Sequence, residues 1–252
     1  MKAFTISARL FPALALAGIL LTPACKKDKS GTHIGETVNY QGKELSTYVK
    51  ADEDGNPTEA GFTIPETVFN SFDALSSDVS WSLDFPKADN ETPFVHLYAG
   101  FNPHGHEPMG IYDKPHFDFH FYTTSEADRL AIAPVDTVKG AKPLPAGEVP
   151  VTYFNAGLVP EMGSHWIDGT APELNGGTFT ETFIFGSFDG KMTFYEPMIT
   201  KAFVEEKHNF TKNIPAVTAY GKAGKYYPTK FGFRHDKTAK AYQFFVSEFV
   251  KR

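Results

Sequence analysis

The 252 residues carry 24 basic and 30 acidic side chains, a net charge of −6, with 15 % aromatic residues and a single cysteine. An acidic balance of this kind makes the chain a poor partner for phosphate backbones, so nucleic-acid binding is not expected. One cysteine also rules out an internal disulfide and any metal centre built on several thiolates.

Lys2 and Arg9 precede an apolar run over 10–21, which is too short to cross a bilayer as a helix and has the layout of a secretory signal. The closing Leu21-Thr-Pro-Ala-Cys25 resembles a bacterial lipobox, which implies lipid modification of Cys25 and a membrane anchor at a new N-terminus. Residues 1–25 are therefore expected to be a lipoprotein signal peptide, 26–35 a flexible tether and 36–252 a single β-rich domain. Lys2 and Arg9 are the only charges in the signal, so its removal leaves 22 basic against 30 acidic side chains, a balance of −8.

Taken in chain order, 36–50 reads as a strand. Asp52-Glu-Asp-Gly-Asn-Pro57 then supplies a turn with an Asp-Gly step, and 59–64 returns as the second arm of a hairpin. Pro65 opens a predicted helix at N1, with Val68, Phe69, Phe72 and Leu75 at helical spacing. Strands are predicted over 94–102 and 116–123, followed by a short helix to about Ile132 capped by Ser125 and Asp128. The proline-rich stretch 134–150 reads as a surface loop. A hairpin follows from 178–186 through Ser187-Phe-Asp-Gly190 to 191–200, and a last one joins 226–235 to 241–250. These elements predict a mainly β fold: an antiparallel barrel or sandwich built of hairpins, with two or three short helices.

Four of the nine histidines fall within 104–120, in the run HGHEPMGIYDKPHFDFH, together with Glu107, Asp113 and Asp118. Imidazole and carboxylate at this density are ordinary ligands of a divalent metal ion. In HFDFHF the alternation places His116, Asp118 and His120 on one face of a strand and three phenylalanines on the other. Residues two apart lie about 6.7 Å apart along a strand and can converge on one ion, whereas residues four apart span about 13 Å and cannot without a bend. A flat strand therefore supplies two of the three, and the third orients a ligand, binds another group or acts as a base.

The proline-bracketed turn Pro103-His-Gly-His-Glu-Pro108 is expected to bring His104 or His106, with Glu107, over that strand. His165, beside Trp166, is the best ligand candidate from outside the cluster. Glu181 and Glu196 lie on largely apolar strand faces, where an unpaired carboxylate is costly, so each calls for a cation, donors or a metal. His33, His96, His208 and His235 read as structural or surface residues. The chain contains no nucleophile elbow, P-loop, dinucleotide-binding glycine motif or H-E-x-x-H pair.

The blocks YVKADEDGNPTEAGFTIPE, FNPHGHEPMGIYDKPHFDFHFY, VPEMGSHWID and FIFGSFDGKMTFYEPMIT resemble successive segments of an uncharacterised bacterial secreted family that includes a sigma-E-regulated Thermus protein. The resemblance implies a cell-envelope location and assigns no chemistry.

Three functional expectations follow. The first is an envelope lipoprotein that binds a divalent metal, zinc above all, through His106, His116, Asp118, His120, His165 and Glu196, for structure or for capture of a small molecule. His104, Glu107 and Glu181 are further pocket candidates. The second is a metal-dependent hydrolase or hydratase in which the ion keeps an open position and Glu107 or Asp118 is the base. The third is a metal-free aromatic pocket for an apolar ligand. Four protein ligands would mark a structural ion; three beside an open cleft would mark a reactive one.

Overall fold

A computed structural model describes Met1 and residues 29–87 and 90–252; apart from Met1, the segment expected as a signal peptide, with Cys25 and the first part of the expected tether, lies outside the described residues. Strand β1 (Gly31–Tyr40) begins inside the segment expected as a tether. It turns at Gln41 and Gly42, with φ of 52° and 73°, into β2 (Lys43–Ala51). The single strand expected over 36–50 is thus two, because Gln-Gly supplies the left-handed pair that a two-residue hairpin turn requires. The Asp52 turn behaves as expected: Gly55 has φ 86°, and the Asp52 carboxylate accepts from the main-chain N–H of Asp54 and of Asn56. β3 (Pro57–Pro65) leads directly into α1 (Glu66–Ser71), with Pro65 as N-cap rather than N1.

Next come β4 (Val79–Asp84), β5 (His96–Asn102), β6 (His116–Tyr122) and α2 (Glu126–Leu130). The Ser125 hydroxyl accepts the Asp128 N–H, the N-cap bond that the sequence pattern predicts. Within the proline-rich stretch one helical turn forms, α3 (Thr137–Gly140). β7 (Tyr153–Val159) and β8 (Gly163–Asp168) follow, then the hairpin of β9 (Glu181–Phe188) and β10 (Lys191–Thr200) around Asp189 and Gly190. After α4 (Lys201–Lys207) come β11 (Asn209–Asn213), β12 (Tyr226–Tyr227), β13 (Lys230–Asp236), β14 (Ala241–Ser247) and β15 (Val250–Lys251).

Two antiparallel sheets result, ordered β1-β2-β3-β14-β13-β11 and β4-β5-β6-β10-β9-β8-β7, with β12 and β15 paired separately. They face each other as a sandwich; neither closes into a barrel. Between them lies a phenylalanine-rich core in which Phe117, Phe119 and Phe121 of β6 meet Phe62, Phe69, Phe85 and Phe244. Period-two alternation therefore sends the other side of β6 away from this core, onto the outer face of the seven-stranded sheet. A smaller apolar cluster of Tyr112, Tyr122, Ile167, Phe179, Ile184, Phe194 and Met198 covers that outer face. It supports the site.

Candidate metal centre

All seven residues of β6 are buried, so His116, Asp118 and His120 are held on the outer face of a central strand with no freedom to turn to solvent. Because the two histidines stand four positions apart on the strand, they divide between two groups: His116 and Asp118 join His106, while His120 joins His165 and Glu196. The single meeting point expected from the sequence is two neighbouring ones. Spacing along the strand is the physical reason.

In the first group Asp118 receives His116 Nε2 at 3.1 Å on one oxygen, and His106 Nε2 at 3.3 Å and the Asn102 amide at 2.5 Å on the other. Asn102 sits opposite His116 in the β5–β6 register. His106 arrives from the loop between β5 and β6. Gly105 in that loop has φ 70°, and a Cβ there would lie 2.1 Å from the Tyr112 carbonyl oxygen, which accepts the His106 N–H at 3.0 Å. Only glycine fits at this turn.

In the second group Glu196 lies across from His120, since the register pairs Phe194 with Tyr122 and Met198 with Asp118. Its oxygens stand 3.1 Å from His120 Nε2 and 3.7 Å from His165 Nε2. His165 belongs to β8, two strands away, rather than to the glycine turn expected from sequence. It reaches Glu196 across Gly186, whose missing side chain leaves space that the Phe194 ring fills. The ring edges onto both imidazoles, 4.9 Å from His120 and 5.0 Å from His165.

Three of the four imidazoles place Nδ1 against a main-chain carbonyl: His116 on Lys114 at 2.6 Å, His106 on Glu107 at 2.7 Å and His165 on Gly163 at 3.1 Å. A carbonyl only accepts, so Nδ1 carries a proton and donates to it, which leaves Nε2 facing the carboxylate. Yet His116 Nε2, His120 Nε2, one Asp118 oxygen and one Glu196 oxygen are buried without a hydrogen bond. Nitrogen and oxygen stand close without aiming at each other, as ligands do when they aim at a common point. Ligands about 2.0–2.1 Å from a tetrahedral zinc ion are about 3.4 Å apart, and the observed contacts bracket that value.

The two groups differ in charge. Burial pulls His120 down to about 3 and His165 to about 4, and pushes the Glu196 carboxyl well above its usual range, with the Asp118 charge adding to the rise. All three shifts favour the uncharged forms. Burial works against the Asp118 charge as well, but His116 and His106 outweigh it and hold the carboxyl well below the usual range. His106 is correspondingly raised: burial lowers it, and Asp118 more than compensates.

His106, Asp118, His120, His165 and Glu196 line one pocket of about 670 Å³, with Tyr98, Tyr112, Asn102, Glu107 and Met162 among its other walls, while His116 lies behind Asp118. The Tyr112 hydroxyl is buried there with no hydrogen-bond partner. Glu107 lines the pocket with one oxygen on the Met109 N–H, and His104 is exposed at the loop tip, outside both groups. Glu181 points to the opposite face of its sheet, where Lys212 pairs with it at 2.9 Å. Its odd position in β9 separates it from the even-numbered face that carries the pocket.

Asn102 and Tyr112 escape a sequence reading. The former shares its strand parity and cross-strand register with the ligands, and only the β5–β6 pairing reveals it. Among the described residues, no helix is long and apolar enough to cross a membrane. No family model matches this chain, and none of the curated proteins or solved structures compared with it matches either.

Proposed function

We propose that this protein binds divalent transition-metal ions at His106–His116–Asp118 and His120–His165–Glu196, and that the ions hold a small ligand in the shared pocket. The observation that carries the reading is the ligand count. Each group offers two imidazoles and one carboxylate and opens on a cavity, rather than closing a four-ligand cage. Structural zinc takes four protein ligands, whereas reactive zinc and ferrous sites keep three and leave positions for water or substrate. Anchoring at the cell envelope through Cys25 belongs to the same proposal and rests on the lipobox-like sequence.

A hydrolytic or hydrating role is the second reading, favoured by Glu107. This carboxylate lines the pocket outside both groups, and with one oxygen held by the Met109 N–H its other oxygen would serve as a base when an ion supplies Lewis-acid chemistry beside it. Elemental analysis of the purified protein is the test. Two equivalents of metal per chain are expected, falling to about one in His116→Ala and in Glu196→Gln. A folded protein without stoichiometric metal, unaltered by either change, would overturn the proposal. Turnover of a model ester that is lost in Glu107→Gln with metal retained selects the hydrolase; metal-dependent ligand binding without turnover selects capture.

A further inference from the structure

A second cavity of about 740 Å³ shares no lining residue with the metal pocket. It opens between the end of β6, the turn joining β9 to β10, the segment ending at Glu148, and the Gly221–Tyr227 loop. Glu148 is only 7 % exposed, and among the described residues its carboxylate has neither a hydrogen bond nor an ion pair. Its oxygens are not enclosed by protein, so the carboxylate faces the cavity with no protein group to neutralise it. Tyr195 and Tyr227 share the wall, their rings 6.3 Å apart.

The cavity also holds the opposite sign. Lys222 Nζ donates to the Thr123 carbonyl at 2.6 Å and has no carboxylate partner. It does not pair with Glu148, although both line the same space. The Thr193 hydroxyl in that wall is buried without a hydrogen bond. Of the other charged groups in the lining, Lys139 pairs with Asp136, Asp189 with Lys142, and Asp128 accepts from the Ser125 hydroxyl, while Lys191 is exposed at the turn; Glu148 and Lys222, with two phenol rings and the apolar Ile132, Phe188 and Met192, form a lining with two complementary ends.

We infer that this cavity binds a small zwitterion, an amino acid or dipeptide, with its ammonium on Glu148 beside the tyrosine rings and its carboxylate toward Lys222. A ligand carrying both charges answers both unpaired groups at once, and the phenol faces favour the ammonium end.

Calorimetric titration of the full-length protein, stripped of metal with EDTA so that chelation gives no signal, tests this with phenylalanine, alanyl-phenylalanine, phenethylamine and 3-phenylpropionate. At least one of the two zwitterions is expected to saturate, at about millimolar concentration or below, and to bind at least about ten-fold more tightly than either single-charge analogue. Glu148→Gln should weaken the zwitterion and phenethylamine by about ten-fold or more and spare phenylpropionate, and Lys222→Met should do the reverse. Metal content should stay unchanged in both variants, and His120→Ala should leave zwitterion binding intact, separating this site from the metal pocket. Failure of both zwitterions to saturate, or equal affinity in wild type and both variants, overturns the inference.

Discussion

His120, His165 and His96 are imidazoles that the fold keeps neutral. Burial is the first cause in each, aided at His96 by the Arg129 charge, and the values fall to about 3, about 4 and about 4. In the unfolded chain each titrates near 6.5. As pH drops below that value the unfolded state takes up protons that the native state refuses, so stability declines toward pH 4. Glu196 acts in the opposite sense. Its folded-state value is raised, so its contribution is full below 4.5 and is lost as pH rises through the folded value. Three histidines outweigh one carboxyl. Metal-stripped protein is therefore expected to lose about 1.4 kcal/mol per pH unit for each net proton between about pH 6.5 and pH 5. Urea melts across that range measure it directly, and an unchanged midpoint would mean that the buried imidazoles already carry charge in the folded state.

At the scale of elements, the His-rich segment was legible where alternation alone decides the outcome. HFDFHF specifies which side chains share a face and which two can meet, because the period of a strand is fixed by its backbone. The partners were not legible, because register is set by pairing between distant strands. His165 meets Glu196 only because β9 carries Gly186 between them. The hairpins around Asp-Gly steps were equally readable, whereas the Gln-Gly turn, β4, β7 and β8 carry weaker punctuation and escaped. The loop from Asn102 to Tyr112 is the element on which the first metal group depends, and Gly105 is its pivot. Gly105→Ala forces a side chain into φ 70° and against the carbonyl that holds the His106 N–H. The expected outcome is loss of about one metal equivalent, with a stability cost of about 1–3 kcal/mol. The second group should keep its metal, because none of its ligands belongs to this loop. Metal content and thermal melting of the variant check both halves, and loss of both metals would show that the groups are not independent.

For the whole molecule, the decisive feature is that the sandwich core and the metal pocket occupy opposite faces of the same sheet. Phe117, Phe119 and Phe121 are buried between the sheets, at no more than 1 % exposure, and none of the six ligands contributes to that core. Small domains folded around zinc unfold when it is removed, since the ion replaces a core they cannot build. This chain builds its own. Chelation with EDTA should therefore leave the far-ultraviolet dichroism of the sandwich intact and lower stability only by the binding term, about 2.7 kcal/mol per site when free metal stands at a hundred times its dissociation constant. The loss should be smaller in Glu196→Gln, which retains one group. Core truncation should behave differently: Phe119→Ala is expected to cost about 3–5 kcal/mol with or without metal, because its cavity opens on the other side of β6. Unfolding on chelation alone would mean that metal binding and the phenylalanine core are one cooperative unit, and that the ions serve the fold rather than a ligand in the pocket.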